Sequence, residues 1–197
     1  MLLEESGLLT HQFDDTEISS EPWIPLGDQL SCSLINMGSP AMYQSAYASG
    51  FILAPSNRVL CSYTRDGATA SRGDGGCSSW GLAACTQSVD WNCIWEGPWG
   101  VEGMLTASTA RFAREGYGGN GKAYNEVMID TNHYTSNMPQ TLEAFFAPAG
   151  GNIEHAATIH AQFLEHFGLT SVEVPLLIFD PARDAERPWR RHDTIGR

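Results

Sequence analysis

Residues 152–180, NIEHAATIHAQFLEHFGLTSVEVPLLIFD, hold two consecutive patterns of different period. Ile153, Ala156, Ala157, His160, Phe163, Leu164 and Phe167 recur at the three-to-four-residue spacing of one broad helical face. Asn152 precedes that face as an N-cap, and Gly168 follows it as a stop. The predicted helix is therefore 153–167. VPLLIFD (174–180) then runs apolar almost without a break, as a strand buried on both faces does, and Pro175 is tolerable at its start. A buried strand after a buried helix calls for further strands beside it. Three earlier stretches qualify. GFILAP (50–55) and RVLCSYT (58–64) flank the turn residues Pro55, Ser56 and Asn57, which predicts a hairpin. YNEVMID (124–130) alternates, with Asn125, Val127 and Ile129 on one face and Tyr124, Glu126, Met128 and Asp130 on the other.

Two more helices are expected. Val101, Leu105, Ser108 and Phe112 mark one over 99–115, ended by Gly116. Asn137 and Pro139 are placed to start another that runs through LEAFF (142–146). The expected fold class is α+β: a small mixed β-sheet with helices mainly on one face.

The chain has 197 residues, which suits one domain with arms. We divide it into an extended acidic arm (1–30), one α+β domain (31–180) and an arginine-containing C-terminal tail (181–197). Apolar residues make up 42% and charged residues 17%, which excludes a disordered chain. No apolar run is long enough for a transmembrane helix. Lys and Arg number 11 against 23 Asp and Glu, a net charge of −12. A surface of that sign repels phosphate, so nucleic acid is not expected as a partner. The opening MLLEESGLL lacks the basic and apolar regions of a secretory signal, so an intracellular or a trimmed mature protein is expected from it.

Four of the five cysteines, Cys61, Cys77, Cys85 and Cys93, fall in a Gly/Ser/Trp-rich stretch, and none forms a C-x-x-C pair. Disulfides suit that spacing better than zinc, and they imply an oxidising or lumenal compartment. The stretch from Arg65 to Pro98 is then a cross-linked loop, with Trp80, Trp91, Trp95 and Trp99 as a local apolar cluster. With Cys32 the cysteines number five, so at least one is left free or paired to another chain.

Catalytic signatures are few. Glu126, His133 and Arg65 could serve as base, acid and anion holder in a small hydrolase of nuclease-like or glycan-cleaving type. An ordinary solvent-facing strand also explains Glu126. His155 and His166 would lie about 16 Å apart along one helix, and His160 suits a hydrogen-bonded core position, so no metal site is expected. GDGG (73–76) and GYGGNG (116–121) lack phosphate-loop spacing, and no cofactor is expected. The arm carries seven acids and no basic residue, yet it holds Phe13, Trp23 and Leu26. Apolar groups gain nothing in water, so these three are expected to anchor the arm on a surface, the chain's own or a protein partner's. Truncation of 1–20 is expected to leave the fold of 50–180 in place.

The blocks GFILAPSNRVLCSYTRDG, YNEVMID, LEAFFAP and HAQFLEHFGL with VPLLIFD together resemble a module of algal-type protist proteins of unknown function. The resemblance covers about 50–180. It implies one domain with the order hairpin, Cys/Trp loop, helix, strand, two helices, strand, and it implies no activity, ligand or catalytic residue. Two readings follow: an interaction module or accessory subunit of a larger assembly, or the small hydrolase.

Overall fold

The computed structural model describes residues 6–12, 21, 23–24, 29–36, 49–53, 59–63, 126–180, 182–184 and 187–192. For 6–12, 59–63 and positions 29, 31, 34–36, 126 and 128 only the backbone is described. The expected helix at 99–115, Arg65 and the Cys/Trp stretch lie outside these residues.

The described residues form eight strands and two helices in an α+β arrangement. The strands are β1 (Ser6–Gln12), β2 (Gln29–Asn36), β3 (Gly50–Leu53), β4 (Val59–Tyr63), β5 (Glu126–Asp130), β6 (Leu142–Pro148), β7 (Leu176–Phe179) and β8 (Trp189–Arg191). The helices are α1 (Thr131–Ser136) and α2 (Ile153–Phe167). The sheet order is β4-β5-β2-β1-β3-β6-β7-β8. It is mixed: β6 and β7 run parallel, joined across α2, and every other pair is antiparallel. A parallel pair needs a crossover of this kind, because no tight turn can return the chain to the same end. β2 links two ladders. Its first half, Gln29–Cys32, pairs with β5, and Ser33–Asn36 pairs with β1.

Side chains alternate across the sheet, and both faces are apolar at its centre. Phe51, Leu53, Phe145, Ala147, Leu176 and Ile178 meet the helices on one face, together with Leu30, Cys32, Val127 and Ile129. Ile52, Ala144, Phe146, Leu177 and Phe179 form a second cluster on the other face, with Trp189 against it. A bulge at Glu143 resets the alternation. Leu53 opposes Leu142 while Ile52 opposes Ala144, so Leu142 joins the face that Phe145 occupies.

Helix α2 follows its sequence. The Asn152 side chain accepts from the His155 N–H at 3.0 Å, and Gly168 closes the helix at φ 65°. Ala156, Ile159, His160 and Phe163 are buried, while Ile153, Ala157, Leu164 and Phe167 pack partly exposed. Helix α1 is capped by Asp130, whose carboxylate accepts from the N–H groups of Asn132 and His133.

Three expectations are corrected. LEAFF is strand, not helix, and Asn137 is the C-cap of α1, its N–H donating to the Tyr134 carbonyl. Leu, Glu and Ala favour a helix locally, but this segment buries side chains on both faces, which a strand in mid-sheet does and a surface helix does not. β3 and β4 exist yet form no hairpin. β3 is flanked by β1 and β6, and β4 pairs with β5. Both edges of β3 are taken, by β1 and β6, so none is left for β4. Finally, the expected extended arm contributes a strand. β1 sits between β2 and β3, and the boundary drawn at residue 30 falls inside β2. Truncation of 1–20 would therefore remove a strand from inside the sheet. Among the described residues, no helix is long and apolar enough to cross a membrane.

Candidate functional site

Of the three candidate catalytic residues, two are described. Glu126 opens β5, its backbone paired with Tyr63 of β4. His133 lies in α1, past the far end of the same strand. The strand from Glu126 to Asp130 spans about 13 Å at 3.3 Å per residue, so β5 places these positions at opposite ends. His133 is half-buried, and its Nδ1 is enclosed without a hydrogen bond. Arg65 lies outside the described residues. No group of three metal-binding side chains occurs among the described residues.

Of the disulfide candidates, Cys61 is in β4, described by its backbone alone, and Cys77, Cys85 and Cys93 lie outside the described residues. Cys32 is a buried thiol in β2, 3.9 Å from the Leu30 carbonyl.

Trp23 is 2% exposed, and its burial is internal. The chain turns at Glu21–Ile24, with the Ile24 N–H donating to the Glu21 carbonyl at 2.9 Å. The indole meets Phe163 edge-on at 5.4 Å and His166 at 5.8 Å, both on α2. Glu21 Oε1 lies 3.4 Å from His166 Nδ1, and the Tyr134 hydroxyl donates to the Trp23 carbonyl. Burial pushes the Tyr134 phenol well above its usual value, with the Cys32 thiol as a second cause. Trp23 thus anchors this segment on the chain's own core, in an aromatic slot on α2. Phe13 and Leu26 lie outside the described residues.

His160 is the core histidine its position suggests. Its Nε2 lies 2.7 Å from the Val174 carbonyl, which can only accept, so Nε2 carries the hydrogen. Desolvation lowers its basicity, the carbonyl partly opposes this, and His192 lowers it further.

The feature that residue types alone did not place is at the end of the sheet. β8 pairs with β7 through Ile178–Arg190 and Leu177–Arg191 and ends the strand order. Trp189 holds it there, with ring centroids 4.8 Å from Phe179 and 6.2 Å from Phe146. Arg183, Arg187, Arg190 and Arg191 are all exposed on this strand and the segment leading to it. Two nearby acids are occupied by main-chain groups: Asp180 accepts from the Arg183 N–H, and Asp184 from the Arg187 N–H. Among the described residues, no carboxylate lies within ion-pair distance of the four guanidiniums. The local excess of arginine is visible in the tail composition; the strand that aligns it is not, because three residues are too few for a period.

No protein-family model matches the chain, and no curated protein matches it.

Proposed function

We propose that this chain is an interaction module or accessory subunit of a larger protein assembly. The observation that supports the reading is the segregation of charge. A chain of net charge −12 presents four exposed arginines, without carboxylates in ion-pair distance among the described residues, on the last strand of the sheet and the segment leading to it. Isolated surface charge of the minority sign contributes little to folding, whereas it steers and orients association. A hydrolase acting through Glu126, His133 and Arg65 is not proposed, since β5 holds the first two at opposite ends.

The reading includes an oxidising or lumenal compartment, supported by the spacing of Cys61, Cys77, Cys85 and Cys93. Cross-linking in native extract, followed by sedimentation, tests the assembly. The chain is expected in species larger than one copy; sedimentation only at the size of a single chain overturns the reading. Mass spectrometry of the non-reduced protein tests the compartment, with at least one disulfide expected among those four cysteines and five alkylatable thiols counting against it.

A further inference from the structure

The edge strand β8 has a geometry that selects its occupant. In an antiparallel pair, alternate residues direct their main-chain N–H and C=O toward the partner strand. The Asp180 N–H donates to the Pro188 carbonyl, and the His192 N–H to the Leu176 carbonyl at 2.8 Å. Residues 188, 190 and 192 therefore face β7, and the main-chain groups of Arg191 face away from the sheet. Among the described residues no strand pairs with this outward-facing edge, and such an edge is a template for another extended chain.

The four guanidiniums decide what that chain carries. Arg190 and Arg191 project from opposite faces of the edge strand, beside Ile178 and Leu177 respectively. Arg183 and Arg187 extend the charge along the preceding segment. A second copy of β8 would bring arginine against arginine, and like charges directly across a strand pair are unfavourable. A nucleic acid or an anionic membrane would also meet the field of a chain with net charge −12 over a wide footprint. A short extended peptide covers only the patch and answers both the main-chain edge and the guanidiniums.

We infer that the β8 edge binds an extended, Asp/Glu-rich segment of a partner protein, its carboxylates set against Arg183, Arg187, Arg190 and Arg191. The inference rests on the accessory-subunit reading and gives that subunit's partner its chemistry.

The test uses the full chain and a fluorescein-labelled peptide in which Glu-Glu pairs alternate with Val-Thr pairs, so that carboxylates fall on both faces of the extended chain, read by fluorescence anisotropy. Its Gln-for-Glu counterpart, a single-stranded oligonucleotide of equal length and phosphatidylserine vesicles complete the set. The acidic peptide is expected to bind, and to bind more weakly as salt rises. The Gln peptide, oligonucleotide and vesicles are expected to bind at least about tenfold less well. Arg183→Gln, Arg187→Gln, Arg190→Gln and Arg191→Gln together should weaken the acidic peptide by about tenfold with melting temperature unchanged. Should the quadruple variant melt early, Arg183→Gln with Arg187→Gln, off the strand, serves instead, with about threefold weakening expected. Equal binding of the two peptides, tighter binding of oligonucleotide or vesicle, or arginine-dependent self-association that the peptide does not compete overturns the inference. Native assemblies that survive the quadruple substitution would sink this site alone, while absence of assemblies would sink the broader reading.

Discussion

The Tyr134 hydroxyl donates a 2.9 Å hydrogen bond to the main-chain carbonyl of Trp23, joining α1 to a turn from near the start of the chain. Both partners are buried, and the Tyr134 ring lies parallel to Phe51 at 5.7 Å. Tyr134→Phe keeps the ring contact and leaves a buried carbonyl without its donor. The expected loss is roughly 1–2 kcal/mol, read from the denaturant midpoint. A loss below a few tenths would mean that water replaces the hydroxyl.

Phe163 joins the Trp23 slot to the sheet. It is fully buried and meets Trp23, Phe145 and Phe167 with centroids 5.4, 5.1 and 4.7 Å away. Phe163→Ala removes all three ring contacts and leaves a cavity. We expect a cost of roughly 3–5 kcal/mol, enough to unfold a marginal domain. Equilibrium unfolding is the measurement, and a change below about 1 kcal/mol would contradict the packing.

His160 predicts a pH dependence. Burial holds its folded basicity below the unfolded value of about 6.5. Its contribution to stability is therefore present above that value and is lost as pH falls from there through the depressed folded value. His160→Gln retains a donor for the Val174 carbonyl but cannot titrate. Between pH 7.5 and 5 the variant should lose less stability than the parent chain. Parallel curves would assign the acid sensitivity to the carboxylates instead.

Gly168 tests the helix stop. Its φ is 65°, and a Cβ there would meet no atom within 4 Å. Gly168→Ala should therefore cost only the backbone preference, about 1 kcal/mol, and Gly168→Asn less, since Asn visits this conformation more readily. Thermal melts of the pair check the order.

What could be read from the residues was local chemistry. Asn152, the apolar spacing of α2 and Gly168 each act within a turn or two, so the helix was legible to its ends. The apolar run 176–179 was legible as a strand for the same reason. Partner choice was not. GFIL and VLCSY look like neighbours, yet β3 and β4 are separated by three strands, because which strand fills an edge depends on distant segments. LEAFF was misread because its composition favours one state and its two-sided burial another. The tail showed its arginines as composition, while the three-residue strand that aligns them depends on Trp189 finding Phe179 and Phe146.

The place of β1 bears on how the chain reaches this state. Synthesis runs from the N-terminus, so β1 emerges before the other strands of the sheet, and β2 can join it early. The other edge of β1 must wait for β3, and β3 for β6, while the first half of β2 must wait for β5. Most ladders thus close large loops, and such topologies fold in milliseconds to seconds rather than microseconds. Until residues near 146 are made, β1 and β2 present an unfinished sheet edge, the state in which nascent chains associate wrongly. Slow synthesis or a holdase that covers strand edges should raise the yield of folded protein more than any single stabilising substitution in α2.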